Sequence, residues 1–227
     1  MNGEKTDRWD GVKRVWEIIE RLRSETGCPW DRKQTPEKIQ TYLVEESHEA
    51  AAAVRKGDTG GAAEELGDVL FMVFFLVYLY EQRGDFRLED VCRIVSEKMI
   101  RRHPHVFGDV NVDTAEEVKD NWEKIKAGEK EASGKMPDPV PESLPALMRA
   151  YRIISRLSQK ENGKWNDLQS QAEKFAGQSR RLADEIESGC SIAEEAMGEM
   201  LLRLVNIARL GGMRAEDILH RRVRELE

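Results

Sequence analysis

Cysteine is scarce in this chain, and so are aromatic residues, long apolar runs and any excess of positive charge. The three cysteines, Cys28, Cys92 and Cys190, stand far apart and form no C-x-x-C pair. That excludes a disulfide framework and a thiolate zinc site, and fits reduced thiols in a cytosolic protein. The longest apolar stretch, residues 69–80, has twelve residues, whereas a membrane span needs about 20, so it reads as a buried core helix. The polar opening, residues 1–10, lacks the apolar core of a signal peptide, and the expected location is cytoplasmic, with no membrane partner. A formal net charge of −7 offers no broad basic surface to a phosphate backbone, which argues against a nucleic-acid binder. Alternation of strand type is missing as well.

What is present is helical periodicity. Residues 12–23 place Val12, Val15, Trp16, Ile19 and Leu22 on one face. Cys28-Pro29-Trp30-Asp31 breaks that run, and Thr35-Pro36 then opens Pro36–Lys56 as a capping threonine followed by a first-turn proline. Glycines in 57–61 predict a turn, 62–82 the next helix, and Leu88–Arg102 another, stopped by His103-Pro104 because proline excludes its predecessor from helical geometry. The predicted class is all-α.

With four prolines and dense charge, residues 128–146 read as a linker between a first domain, 1–127, and a second, 147–227. The second domain repeats the first. Residues 14–22 are echoed by 149–157 and Trp30 by Trp165 at an offset of 135; residues 63–70 are echoed by 194–201 at 131; and 88–91 by 215–218 at 127. The expected architecture is two tandem helical-bundle copies.

Two acidic patterns occur in the first copy. In Glu45-Glu46-x-x-Glu49, the residues Glu46 and Glu49 share a helix face; Glu65 and Asp68 do the same on the next helix. Any one such pair can be a solvated face. If the two helices fold back on each other, however, four carboxylates meet, and only protons or a hard cation stabilise them there. Oxygen-only donors favour Mg²⁺, with Mn²⁺ as a substitute. Glu45, beside the ligand face, is placed to orient a water. The second copy lacks this cluster: an offset of 132 sets Gly177, Gln178 and Arg181 where Glu45, Glu46 and Glu49 stand, and Glu65 falls on Ala196 while Asp68 becomes Glu199. A purely structural requirement would have persisted in both copies. A di-iron bundle asks for two Glu-x-x-His units, and only Glu45-x-x-His48 qualifies.

Lys98, Arg101 and Arg102 end a helix, where cations favour the macrodipole or can clamp phosphates. Lys98 falls on Glu225 in the second copy, and no counterpart of Arg101 or Arg102 follows. Trp30 and Trp122 can stack on a base or simply pack.

Together, Cys28-Pro29-Trp30-Asp31, the two acidic patterns, the segment from Lys98 to Phe107 and the segment from Asn121 to Lys126 resemble the MazG-type nucleoside triphosphate pyrophosphohydrolases in their two-copy form. The resemblance implies an all-α bundle, usually completed as a homodimer. It also implies Mg²⁺-dependent hydrolysis of nucleoside triphosphates to the monophosphate and pyrophosphate. On it, Glu46, Glu49, Glu65 and Asp68 hold the metal and Glu45 assists the water. Lys98 and Arg102, with Arg101 beside them, meet the phosphates, and Trp122, with Trp30, lies near the nucleotide. The degenerate second copy is expected to serve shape or dimerisation. Rival readings are a narrower all-α phosphohydrolase, acting on dUTP, dCTP or phosphoribosyl-ATP, and a non-catalytic nucleotide-binding regulatory module.

Overall fold

Thr35 takes an extended backbone and Pro36 the first helical position, so a long helix begins there as the pattern requires. It ends at Gly57, whose φ of 70° suits a residue with no Cβ, and the chain reverses within two residues. Asp58 caps the next helix by accepting the Gly61 backbone N–H at 2.9 Å. Residues 59–61, expected in the turn, are therefore its first helical turn. Losing this cap should cost about 1 kcal/mol. Asp58→Ala is expected to lower the urea midpoint accordingly, and an unchanged midpoint would show that the cap contributes nothing.

The computed structural model describes residues 8–133, 139–160, 163–189, 191 and 193–226. Among these every regular element is helical, and no strand occurs. In order they are α1 (Arg8–Arg23), a 3₁₀ turn (Asp31–Lys33), α2 (Pro36–Lys56), α3 (Thr59–Arg83), α4 (Leu88–Arg102), α5 (Pro104–Phe107) and α6 (Ala115–Ser133). Then come α7 (Ala146–Lys160), α8 (Leu168–Glu187), α9 (Glu194–Leu210) and α10 (Ala215–Arg224). No helix is long and apolar enough to cross a membrane among the described residues.

The chain divides into two compact units, Met1–Ala132 and Ser133–Glu227. The segment expected to begin the linker is helical, because α6 continues through Gly128 to Ser133. Residues 134–138 of that linker and Cys190 lie outside the described residues.

In the first unit α2 and α3 form the most extensive helix pair, with α1 and α4 also against α3. Ile19 of α1, Ile39 of α2, and Phe74, Phe75 and Leu79 of α3 make the core, so the apolar run of 69–80 is indeed core helix. Arg23 ties the 3₁₀ segment to this core. Its guanidinium donates to the Asp31 carbonyl at 2.5 Å, the Gln34 carbonyl at 3.2 Å and Gln82 Oε1 at 2.7 Å, over the face of Phe75.

The second unit, α7 to α10, has the order of α1 to α4. Buried Ile154 stands 135 residues after buried Ile19. The cap Asp167 and buried Gln171 stand 132 after the cap position Thr35 and buried Ile39. Val205, Asn206 and Ala208 stand 131 after Phe74, Phe75 and Val77, all of them buried.

Candidate active site

The two-residue turn between α2 and α3 lays the acidic patterns side by side, as expected for an αα-hairpin. Carboxylate oxygens of Glu46, Glu49 and Glu65 all lie within 4.8 Å of one another. Glu46 and Glu65 are half-buried and Glu49 is exposed. Partial loss of hydration raises the Glu46 carboxyl above its usual range, and the charges of Asp68, Glu49 and Glu45 push it further. Glu65 is raised in the same way, first by desolvation, then by Glu49, Glu46, Asp68 and Glu64. Every charge moving these two groups is another carboxylate. Glu45 and Asp68 thus flank the triad on α2 and α3, exposed and within electrostatic reach.

This donor set fits a hard divalent cation. Mg²⁺ bonds oxygens at about 2.0–2.1 Å in an octahedron, which places pairs of donors roughly 3–4 Å apart. Oxygens within 4.8 Å of one another are compatible with that spacing, and the unbalanced negative charge rises with each carboxylate added. Without thiolate or imidazole among the three, nothing favours a softer metal.

Trp30 is half exposed (54%), not sealed in the core. Its ring lies 6.0 Å from that of Tyr42, one helical turn before Glu46 on α2. This aromatic corner at the edge of the acids was not foreseen, although the spacing of Tyr42, Glu46 and Glu49 marks one helix face.

The basic residues behave differently from one another. Arg101 Nε donates to Glu129 Oε1 at 2.6 Å, and Arg102 Nε and Nη2 donate to Glu129 Oε2 at 3.1 and 2.7 Å. The hydrogen bonds from Arg102, followed by those from Arg101, hold the Glu129 carboxyl below its usual range. The Arg102 guanidinium also lies over the Trp122 ring at 5.2 Å, and His103 meets that ring edge-on at 5.0 Å. Both arginines are therefore satisfied by α6 and not by the acidic triad. Lys98 is half-buried on α4 and forms no ion pair among the described residues. Glu129 was missed because its segment read as linker; the helix-favouring run 115–127 ahead of it was the available signal.

An all-helical bundle whose central hairpin gathers carboxylates, with no cationic side chain paired to them among the described residues, has the donor set of a class of oxygen-ligand metal sites. Comparison with known proteins makes the class particular. Residues 34–107 match the MazG nucleotide pyrophosphohydrolase domain, a stretch holding both acidic patterns and the basic end of α4. The chain is 37% identical over 229 residues to a nucleoside triphosphate pyrophosphohydrolase of Escherichia coli, covering 95% of this chain and 87% of that protein. It is 38% identical over 210 residues to the nucleoside triphosphate pyrophosphohydrolase/pyrophosphatase MazG of Thermotoga maritima, covering 92% and 79%. A crystal structure of a mazG-related protein from Thermotoga maritima aligns with a TM-score of 0.45 and 33% identity, over 51% of this chain and 99% of that one. The chain belongs to the MazG nucleotide pyrophosphohydrolase family.

Proposed function

We propose that this protein hydrolyses nucleoside triphosphates to nucleoside monophosphate and pyrophosphate, using Mg²⁺ or, in its place, Mn²⁺. The observation that carries the reading is the convergence of Glu46, Glu49 and Glu65 across the α2–α3 hairpin, in a chain similar along most of its length to enzymes named for this reaction.

Glu46, Glu49, Glu65 and Asp68 would hold the cation. When bound, it neutralises phosphate charge and supplies Lewis-acid stabilisation of the displacement. Glu45 accepts a proton from the attacking water, whose oxygen bonds to the α-phosphorus. The bond from that phosphorus to the oxygen bridging it to the β-phosphorus breaks, and pyrophosphate leaves with the electron pair. Lys98, Arg101 and Arg102 hold the phosphates, with Glu129 surrendering the arginines on substrate entry. A carboxylate and a phosphate present similar acceptors to a guanidinium fork, so Glu129 keeps the fork aligned between turnovers. Trp122 and Trp30 flank the nucleoside.

Residues 1–127 form the catalytic part and 147–227 a degenerate copy serving shape or dimerisation. The working species is a cytoplasmic homodimer. In support, Leu66, Leu70 and Val73 make an exposed apolar row on α3, beside Glu65 and Asp68, that a second copy would cover.

The direct test is product chromatography with the eight common ribo- and deoxynucleoside triphosphates, with and without Mg²⁺. Metal-dependent monophosphate and pyrophosphate in equal amounts is the expected result. Nucleoside diphosphate would mean attack at the terminal phosphate and would reject the mechanism.

A further inference from the structure

In the second unit, the place that corresponds to the acidic cluster keeps one carboxylate, Glu199 at the position of Asp68, and gains an arginine. At the offset of 132 set by the α8 cap and by buried Gln171, Glu49 falls on Arg181, Glu46 on Gln178 and Glu45 on Gly177. These residues do not lie on a closed surface. Between α8 and α9 is an open cleft of about 320 Å³ lined by Glu173, Lys174, Gly177, Gln178, Arg181 and Arg203.

Lys174, Gly177, Gln178 and Arg181 are spaced three, four and seven along α8, so they present one helix face to the cleft. Gly177 leaves open space where a side chain would stand, with no atom within 4 Å of a Cβ placed there. Across from them, Arg203 of α9 is held in place. Its Nε donates to Gln178 Oε1 at 2.7 Å and its Nη1 to Gln171 Oε1 at 3.1 Å. Glu199, one turn earlier on α9, pairs with its Nη2 at 3.9 Å. A guanidinium has five N–H donors, and the two hydrogen bonds to Gln178 and Gln171 leave the others on this fixed fork unused by them. Arg181 and Lys174 are exposed and form no ion pair among the described residues. Three of the lining side chains are cationic and one, Glu173, is anionic; with Glu199 set against Arg203, a single positive charge is left in excess.

We infer that this cleft binds a phosphoanhydride polyanion, through Arg203 as the fixed fork and Arg181 and Lys174 as mobile charges. A planar fork matches phosphate oxygens, whereas the lysine adds a point charge. At about 320 Å³ the cleft has room for a linked pair of phosphates. Two sources supply that chemistry: free pyrophosphate and the phosphate tail of a nucleoside triphosphate. The second unit would then sense the product or substrate of the first without repeating its reaction.

The test is isothermal titration calorimetry on the full chain with EDTA present, so that no metal complex forms and no triphosphate is hydrolysed. One arm uses inorganic pyrophosphate and the other a nucleoside triphosphate. Saturable binding is expected, weakened at least tenfold by Arg181→Glu and again by Lys174→Glu, and falling as salt rises. Both positions are exposed, so circular dichroism of the variants should remain native. Glu49→Gln should leave this binding intact while removing turnover, which separates the cleft from the catalytic reading. Tighter binding of pyrophosphate identifies the product as the source; tighter binding of the triphosphate identifies the nucleotide tail. No saturable heat from either ligand, or equal affinity in Arg181→Glu, overturns the inference.

Discussion

Glu49→Gln is expected to lower kcat/KM for metal-dependent pyrophosphate release by roughly a thousandfold or more, about 4 kcal/mol of transition-state stabilisation. The substitution preserves volume and helix propensity but replaces a charged, two-oxygen donor by a neutral amide, a poor ligand for a hard cation. Glu49 is exposed and contributes no core contact, so the helical circular dichroism should match wild type. Glu64→Gln is the matched control. Glu64 adds to the negative field on Glu65 but lies outside the triad, and its loss should change the rate about twofold at most. Equal losses in both variants would mean that the acids act only as a diffuse field; full activity in Glu49→Gln would remove the site assignment.

The second large effect is thermal. Metal-free, the cluster opposes folding at neutral pH, because Glu46 and Glu65 are raised above their ordinary range by desolvation and by each other's neighbours. A carboxyl raised on folding binds its proton more tightly in the native state. Its contribution is present below the unfolded value and lost as pH rises through the folded one. Glu129 runs the other way: held low by Arg102 and Arg101, its contribution is lost only as pH falls through its depressed value. The metal-free chain should therefore be most stable on the acid side of neutrality, above the window in which Glu129 protonates. At neutral pH, Mg²⁺ at a hundred times its Kd is expected to stabilise by about 2.7 kcal/mol, raising Tm by roughly 5–10 °C. In Glu49→Gln that shift should vanish, while metal-free Tm should equal or exceed wild type because one repulsive charge is gone. Differential scanning fluorimetry across pH, with and without Mg²⁺, reads all of this. An undiminished Mg²⁺ shift in the variant would place the ion elsewhere.

Much of the first unit could be read from the chain because its signals are local. The Thr35-Pro36 start, the Gly57 stop and the apolar run of 69–80 each state their structure within a turn or two of helix. The acidic triad followed from spacing plus one assumption, the hairpin, which the two-residue turn realises. What escaped depends on partners distant in sequence. Arg101 and Arg102 look like free cations at a helix end until Glu129, 28 and 27 residues on, is brought to them. Trp30 packs against Tyr42 and stays half exposed because the 3₁₀ segment is tethered through Arg23, a contact no periodicity announces. The charge of the second unit was visible as lost acids. Its cleft was not, because Arg203 lies outside the aligned motifs.

The short reversal at Gly57 and Asp58 also bears on how the protein comes into being. From Glu45 to Asp68 the whole acidic set occupies 24 consecutive residues (68 − 45 + 1), all on one hairpin. Closing so short a loop sacrifices little chain entropy, and contacts of low sequence separation form early. The acidic hairpin is thus expected to be among the first parts of the molecule to assemble, before α7 to α10 have been synthesised. Without a bound cation, that young hairpin bears the mutual repulsion of its acids through the packing of α2 on α3 and of α1 against them.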